Sequence, residues 1–271
     1  MSVEQGPPGV DTSRPHPARR YDYWLDGKDN YAADRASAEE IEQNAFPTVR
    51  LSARENRQFL GRAVSYLAER EGIRQFLDIG AGLPAANNVH EVAQAVDPRS
   101  RVVYVDNDPI VLAHARVLLQ GTREGATAYI DADVRRPSSI LTDPDLLATL
   151  DMTQPVALTL LAIMHFISDA ERPYEIVAEL RDALPPGSFV VITHATSDHL
   201  SPDRREASAR ANKRAGVQFQ LRTSEEFAPF FAGLDLVPPG ITSVVRWRPP
   251  IEQSDSVVKK VSMLCGVGRV P

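Results

Sequence analysis

Carboxylates occur close to the ends of three successive apolar runs in this sequence. Asp78 stands just before two glycines, Gly80 and Gly82, whereas Asp106 and Asp133 follow later runs. Glycines directly behind a strand let the backbone turn sharply and approach a ligand without a Cβ in the way. A carboxylate at the end of the next strand can accept both hydroxyl protons of a ribose. The chemistry that this spacing predicts is the binding of a nucleoside.

The glycine loop by itself fits two classes of nucleoside. Gly80-x-Gly82-x-x-Ala85 satisfies the fingerprint of nicotinamide dinucleotide enzymes, with its permitted final alanine. Asp78 in front of the turn would repel a pyrophosphate but can orient an ammonium group. Pro84 removes one backbone N–H that would otherwise contact phosphate. These residues favour a zwitterionic nucleoside such as S-adenosylmethionine.

Each predicted contact with this nucleoside is placed at a strand end. Asp106 would hold the ribose, with Asn107 beside it. Asp133 and Val134 would frame the adenine, whose exocyclic amine can donate to a carboxylate. Taken by itself, Asp133 is equally well explained as a residue that caps a turn. The methionine side of the cofactor would be shaped by Asp78, Gly80 and Gly82.

The hydrophobic pattern predicts the elements that position these residues. Five apolar runs without polar alternation predict strands covered on both faces: Phe76–Ile79, Val102–Val105, Ala128–Ile130, Val156–Leu161 and Phe189–Thr193. Helical patterns alternate with them at Asn87–Val96, Ile110–Gln120 and Tyr174–Leu184. Two later runs without a crossover helix between them predict an antiparallel pair, Ile241–Trp247 and Val261–Val267. The predicted class is α/β: a doubly wound, Rossmann-like, mostly parallel sheet of seven strands that ends in this antiparallel pair.

The chain before residue 72 is predicted to lie outside the sheet domain. Residues 1–17 are rich in proline, glycine and charge, which is typical of a disordered tail. Residues 18–71 predict an N-terminal helical extension, and residues 72–271 form the predicted nucleoside-binding domain.

Side chains of the extension are candidates for contacts with a substrate. Tyr21, Tyr23 and Asn30 could belong to a lid, since aromatic faces favour a sulfonium or a planar molecule. The alternative is that the aromatic residues only pack the N-terminal helices onto the sheet. The sequence leaves both interpretations open.

The strand-end motifs resemble those of a known class of enzymes. Class I S-adenosylmethionine-dependent methyltransferases carry cofactor motifs similar to three in this chain: Asp78-x-Gly80-x-Gly82, Asp106 and Asp133-Val134. Nearly the whole chain is also similar to an actinobacterial S-adenosyl methyltransferase family formerly described as a domain of unknown function. That narrower likeness is carried by ARRYDYWLDGKDNYAAD at residues 18–34, by Gly80–Pro84 and by Trp247–Pro249. The resemblance implies the fold and S-adenosylmethionine as the cofactor, and it implies no substrate.

Two histidines follow predicted strands and are candidates for proton transfer. His165 comes after the fourth strand and is the better placed catalytic residue, and His194 comes after the fifth. Either could instead be a hydrogen-bonded structural histidine, because methyl transfer needs a base only when the nucleophile arrives protonated. The fourth strand end lacks the Asn/Asp-Pro-Pro-aromatic run of enzymes that methylate nucleobase amines. The sequence therefore predicts methyl transfer to a small-molecule acceptor.

Composition argues against several other classes of protein. The net charge of −6 argues against a surface that binds nucleic acid. One cysteine allows no intrachain disulfide, and the six histidines show no ligand spacing, so no metal site is predicted. No apolar run approaches the roughly 18 residues that span a membrane, and the first residues lack a secretory apolar stretch. We expect a cytoplasmic protein. Two other functions stay open, a nicotinamide-dependent oxidoreductase and a non-catalytic S-adenosylmethionine-binding module.

Overall fold

The computed structural model describes residue 6, residues 10–111 and residues 121–271. Within this part of the chain, eight strands form one sheet: β1 Gln75–Ile79, β2 Arg101–Asp106, β3 Ala126–Asp131, β4 Ala157–Leu161, β5 Phe189–Ala195, β6 Asp235–Leu236, β7 Thr242–Ser243 and β8 Met263–Arg269. The path through the sheet is β3-β2-β1-β4-β5-β8-β6, and β7 pairs with β8 off this path. Strands β1 to β5 are parallel, whereas β8 is antiparallel to β5, β6 and β7. The predicted α/β class and doubly wound arrangement are confirmed.

The C-terminal strands differ in detail from the prediction. The apolar run Ile241–Trp247 contributes only the two-residue strand β7, and β6 is a second short partner of β8, so the described residues form eight strands rather than seven. The backbone N–H of Arg246 donates to Ser243 O and closes a turn that leaves the sheet. Trp247 is fully buried by edge-to-face packing, with ring centroids 5.4 Å from Phe59. The apolar character of this run therefore reflects packing against a helix as well as strand pairing.

Ten helices accompany the sheet in the described residues: α1 Pro17–Trp24, α2 Ala32–Asn44, α3 Val49–Glu69, α4 Val89–Val96, α5 Pro137–Leu141, α6 Pro144–Thr149, α7 Pro173–Asp182, α8 Pro202–Arg214, α9 Ser224–Phe227 and α10 Asp255–Lys260. Most of the predicted helix Ile110–Gln120 lies outside the described residues. Short 3₁₀ turns follow β4 at Met164–Phe166 and at Asp169–Glu171. In the described part of the chain, no helix combines the length and apolarity that a membrane crossing requires.

Hydrophobic cores lie on both faces of the sheet, which explains its unbroken apolar runs. Successive side chains of a strand point to opposite faces. Phe76 of β1 accordingly packs in the cluster that includes α3 and α4, and Leu77 packs in the cluster that includes α6 and α7. Both are fully buried. The carboxyl ends of these strands are thereby held in a fixed frame.

The first two helices are fastened to each other and to the segment before them. Arg19 of α1 forms a buried ion pair with Asp34 of α2, at 3.0 Å from Nε to Oδ2. Its Nη2 also donates to the backbone carbonyls of Asp11 and Arg14. Asp11 and Arg14, in the segment that composition assigns to a disordered tail, therefore contact the extension.

Candidate active site

A cavity of about 490 Å³ lies at the carboxyl ends of β1, β2 and β4. The strand order reverses between β1 and β4, which is where doubly wound sheets bind ligands. The wall of the cavity also includes the segments that follow β3 and β4, and residues of helices α1, α3 and α8. The volume falls in the range of about 300–1,000 Å³ that is typical of small-molecule sites.

The turn behind β1 requires glycine at two positions. Gly80 and Gly82 have φ angles of 78° and 65°, in the left-handed region that disfavours other residues. A Cβ on Gly80 would also come within 2.8 Å of Ile163 Cδ1, whereas a Cβ on Gly82 would meet no heavy atom within 4 Å. Gly80 donates its N–H to Val105 O at 2.8 Å, which fixes the turn to β2. The backbone at Gly82 therefore faces open space that a ligand can fill.

Asp106 lies at the end of β2, directly across from this turn. Its Oδ2 accepts from the Gly82 N–H at 2.8 Å, and its Oδ1 accepts from the Asp108 N–H at 3.0 Å. A carboxylate oxygen can accept more than one hydrogen bond, so each still has capacity for a ribose hydroxyl. Burial raises the pKa of Asp106. Asn107 is exposed beside it and also lines the cavity.

Asp78 is buried in the wall next to the glycine turn. Burial raises its pKa to about 6, although the Thr159 hydroxyl donates to its Oδ1 and the Arg57 charge opposes the shift. The Arg57 guanidinium is fixed by donating to Ala86 O at 3.1 Å and to Asn88 Oδ1 at 2.8 Å. A carboxylate held in this way favours a cation beside it, because positive charge would stabilise its ionised form.

The third predicted strand-end pair also borders the cavity. Val134 is buried, and Asp133 lies beside it with part of its carboxylate engaged. Oδ1 accepts from the Arg135 N–H at 2.9 Å, and the Arg135 guanidinium lies 3.3 Å from the same oxygen. Asp133 thus caps a turn and lines the cavity at once, so the two interpretations of this residue are compatible.

The two candidate histidines lie in different surroundings. His165 lines the cavity behind β4, where its Nδ1 accepts from the Ala195 N–H at 3.3 Å and burial lowers its pKa well below 6.5. His194 does not line the cavity. Its Nδ1 donates to Ala195 O at 2.7 Å, its Nε2 lies 2.8 Å from Arg222 Nη1, and burial lowers its pKa to about 3. These contacts are those of a hydrogen-bonded histidine away from the cavity, which was one of the two interpretations of His194.

Of the three residues predicted to contact a substrate from the extension, Tyr21 alone borders the cavity. Its hydroxyl donates to Ala53 O and accepts from Asn56 Nδ2 at 2.9 Å. Tyr23 instead donates to Glu39 on the surface. Asn30 is buried and donates to Asp22 Oδ2 at 2.8 Å, so it positions a residue of the wall. Tyr23 and Asn30, which the sequence grouped with Tyr21 as candidates for a lid, do not line the cavity.

The structure adds polar residues that the sequence did not single out. Five buried side-chain atoms of cavity-lining residues have no hydrogen-bond partner among the described residues: Arg20 Nε, Trp24 Nε1, Ser52 Oγ, Asn56 Oδ1 and Ser262 Oγ. Four of these residues lie on α1 or α3, and Ser262 directly precedes β8. Buried polar groups are normally satisfied, so a group of exceptions around one cavity points to a bound molecule. Only one of these residues could have been suspected from the sequence. Arg20 has no acidic residue three or four positions away, so α1 itself offers it no ion pair.

The strand order is that of a Rossmann-like protein. The glycine turn and the carboxylates at the strand ends resemble the nucleoside site of methyltransferases. The chain belongs to the S-adenosyl methyltransferase family, whose family model matches residues 3–271. A DUF574-family protein from Streptomyces avermitilis is 44% identical, with a TM-score of 0.92 over 96% of this chain and 99% of that chain. A methyltransferase structure from Thermobifida fusca, described there as putative, is 40% identical, with a TM-score of 0.89 over 97% of this chain and 98% of that chain.

A more distant structural match supports only the assignment of the fold. An O-methyltransferase family protein from Burkholderia thailandensis is 14% identical, with a TM-score of 0.52 over 95% of this chain and 64% of that chain. No curated protein matches the sequence. The predicted family resemblance is confirmed, and the protein is an S-adenosylmethionine-dependent methyltransferase. This assignment displaces the nicotinamide-dependent alternative.

Proposed function

We propose that the enzyme transfers the methyl group of S-adenosylmethionine to a small molecule enclosed in the cavity described above. The observation that carries this proposal is the division of one cavity into two kinds of wall. One part of the wall has the glycine turn and the strand-end carboxylates, and another has buried polar atoms of α1 and α3 that find no hydrogen-bond partner among the described residues. Because α1 covers the cavity, a small acceptor fits it better than a polymer does.

The cofactor end fits S-adenosylmethionine by the chemistry of its donors and acceptors. Asp106, with Asn107 beside it, would bind the ribose, since its oxygens keep capacity for two hydroxyl donors. Asp133 and Val134 would frame the adenine. The bound cofactor supplies a methyl group on a positively charged sulfur. The methionine side would be shaped by Asp78, Gly80 and Gly82.

His165 would orient the acceptor rather than remove its proton. The lowered pKa keeps the imidazole neutral at physiological pH. Since Nδ1 accepts from the Ala195 N–H, the ring proton is on Nε2, which is a donor in this tautomer. A neutral donor can hold an acceptor oxygen or nitrogen in line with the methyl group. Correct alignment alone contributes about 7–11 kcal/mol to such reactions.

Residues 18–71 would act as the cover of this site. Both α1 and α3 of this cover line the cavity, as do Pro15 and His16 just before the cover. The start of α1 is tied to the loop behind β2, where His16 Nδ1 lies 2.8 Å from Asp108 Oδ2. We expect the cover to open for entry of the cofactor and to exclude water from the reacting atoms when closed.

Ligand titration tests the proposal. S-adenosylmethionine and S-adenosylhomocysteine should each raise the melting temperature of the full chain, whereas NAD should not. Asp106→Asn should lower the affinity for both. A panel of small molecules should then include one that drives formation of S-adenosylhomocysteine. Binding of the cofactor with turnover only on RNA or DNA would refute the small-molecule assignment.

A further inference from the structure

Arg20 carries a buried positive charge that forms no direct ion pair with any described carboxylate. The residue is 2% exposed, and its Nη1 donates to Asn212 Oδ1 at 3.1 Å and to Ser37 Oγ at 3.4 Å. Both partners are neutral, and Nε has no partner in the described part of the chain. The adjacent Arg19 is equally buried but pairs directly with the carboxylate of Asp34, whose charge acts on Arg20 without a contact. The two neighbouring arginines thus differ in whether a described carboxylate contacts the guanidinium.

A buried guanidinium without a carboxylate is unfavourable, because it loses its hydration and gains no ion pair in return. Burial lowers the pKa of Arg20 to about 10, so the side chain keeps its charge at neutral pH. Such a charge is tolerated when a ligand provides the missing anion. Arg20 borders the active-site cavity, so a molecule bound there can supply the anion.

The position of Arg20 assigns it to the acceptor rather than the cofactor. Arg57 is the arginine whose charge acts on Asp78, and it is bonded to the loop behind the glycine turn. The charge of Arg20 acts instead on His165, at the end of the cavity behind β4. Its partner Asn212 belongs to α8, which lines the same end. The two arginines therefore face different parts of the cavity.

Aromatic rings surround this end of the cavity. The Trp24 ring centroid lies 5.9 Å from the Arg20 guanidinium carbon, and the Phe219 ring lies 4.7 Å from the His165 ring. Phe166 also contacts His165, with ring centroids 4.4 Å apart, and its ring lies 5.6 Å from that of Phe219. All of these rings border the cavity. A planar molecule with one charged end matches such a wall better than a flexible aliphatic one.

We propose that the methyl acceptor is an aromatic carboxylate whose carboxylate group pairs with Arg20. This inference rests on the proposed transfer to a small molecule. One guanidinium neutralises the single charge of a carboxylate, whereas a phosphate dianion would leave a charge unpaired. Guanidinium and carboxylate also match in bidentate geometry. The carboxylate is the anchor, and the methylated atom lies elsewhere on the acceptor.

Calorimetric titration of the protein saturated with S-adenosylhomocysteine tests this pairing. Benzoate and indole-3-carboxylate should bind at least tenfold more tightly than benzamide and indole-3-carboxamide. Arg20→Gln should remove that preference and leave the affinity for S-adenosylhomocysteine within about twofold. Arg204→Gln, at an exposed position of α8, is the matched control and should change neither quantity.

Asn212→Asp provides a second test, which can be carried out even if the Arg20→Gln variant does not fold. It places a carboxylate 3.1 Å from Arg20 Nη1 without changing side-chain size. The new ion pair should raise the melting temperature and abolish binding of the aromatic carboxylates. Arg20→Lys should keep the charge and lose most of the preference, because the bidentate contact is lost.

Three outcomes would overturn the inference. Wild-type protein could bind the acids and their amides equally. Arg20→Gln could lower the affinity for S-adenosylhomocysteine tenfold, which would assign Arg20 to the carboxylate of the cofactor. Phenyl phosphate could bind more tightly than benzoate, which would assign the site to phosphate esters. Failure of wild-type protein to bind S-adenosylhomocysteine at all would be a different result, since it would contradict the proposed function itself.

Discussion

His16 Nδ1 lies 2.8 Å from Asp108 Oδ2, and this contact joins the start of α1 to the loop behind β2. Asp108 in turn donates its backbone N–H to Asp106 Oδ1 at 3.0 Å. Burial by itself would raise the pKa of Asp108, but the hydrogen bond and charge of His16 outweigh it, so the pKa is lowered. The cover of the active site is therefore attached next to the carboxylate proposed to bind the ribose.

Removing this attachment should speed cofactor release. We expect His16→Ala to raise the dissociation rate of S-adenosylhomocysteine about fivefold, since one partly exposed contact of this kind contributes up to about 1 kcal/mol. Trp24 borders the cavity, so stopped-flow tryptophan fluorescence can follow release. His199→Ala, at an exposed position, is the control. Equal rates for wild type and His16→Ala would mean that the contact does not hold the cover closed.

Asp78 should make both stability and cofactor affinity depend on pH. Its pKa is raised from 3.8 to about 6, so folding favours the protonated carboxyl. The stabilisation is therefore fully present below pH 3.8 and is lost as the pH rises through about 6. Affinity for the cationic S-adenosylmethionine should change the opposite way and increase over the same interval, because the ionised form pairs with a cation.

Asp78→Asn isolates this effect. The amide keeps an acceptor for the Thr159 hydroxyl but carries no buried charge. At pH 8 we expect the ligand-free variant to be about 3 kcal/mol more stable than wild type, given the shift of about two pKa units. Its affinity for S-adenosylmethionine should be lower and nearly independent of pH. Urea denaturation and calorimetry between pH 5 and 8 measure the two quantities, and a variant that is less stable than wild type at pH 8 would contradict the assignment.

Three glycine substitutions should separate backbone strain from steric clash. Gly82→Ala should destabilise by about 1–2 kcal/mol, since its φ is 65° but open space surrounds the added Cβ. Gly80→Ala should destabilise the fold more than Gly82→Ala does. The backbone strain is similar, but the added Cβ would also clash with the Ile163 side chain. Gly61→Ala lies inside α3 with no atom within 4 Å of the new Cβ, so it should stabilise by about 0.5–1 kcal/mol. Thermal denaturation of the three variants should give this order, and equal losses at Gly80 and Gly82 would argue against the clash.

Much of the fold was predictable because burial on both faces leaves a direct mark on the sequence. Leu77 and Phe76 are neighbours on β1 that enter opposite cores, so the run has no polar alternation. The glycine turn and the carboxylates at the strand ends were predictable for a related reason, since they need only local sequence. These features depend on residues close together in the chain.

The acceptor end depends on residues that are far apart in the chain, and so the sequence did not reveal it. Arg20 is buried by contacts with Asn212, which lies 192 positions away. Tyr23 is three positions from Arg20 on α1, yet its hydroxyl donates to Glu39 of α2 and it does not line the cavity. A cluster of aromatic residues indicates that a segment is buried, but tertiary packing decides which member borders a cavity.

The pH profile of the reaction should distinguish an orienting His165 from a catalytic base. With an acceptor in hand, kcat/KM should show no limb near pH 6.5 that belongs to His165, because burial keeps its pKa well below that value. His165→Gln can still donate a hydrogen bond and should retain about a tenth of the activity, whereas His165→Phe should lose about a hundredfold, since an unmet polar group of the acceptor costs about 1–3 kcal/mol. Both variants should bind S-adenosylhomocysteine as wild type does. An acid limb in wild type that disappears in His165→Gln would instead identify His165 as the base.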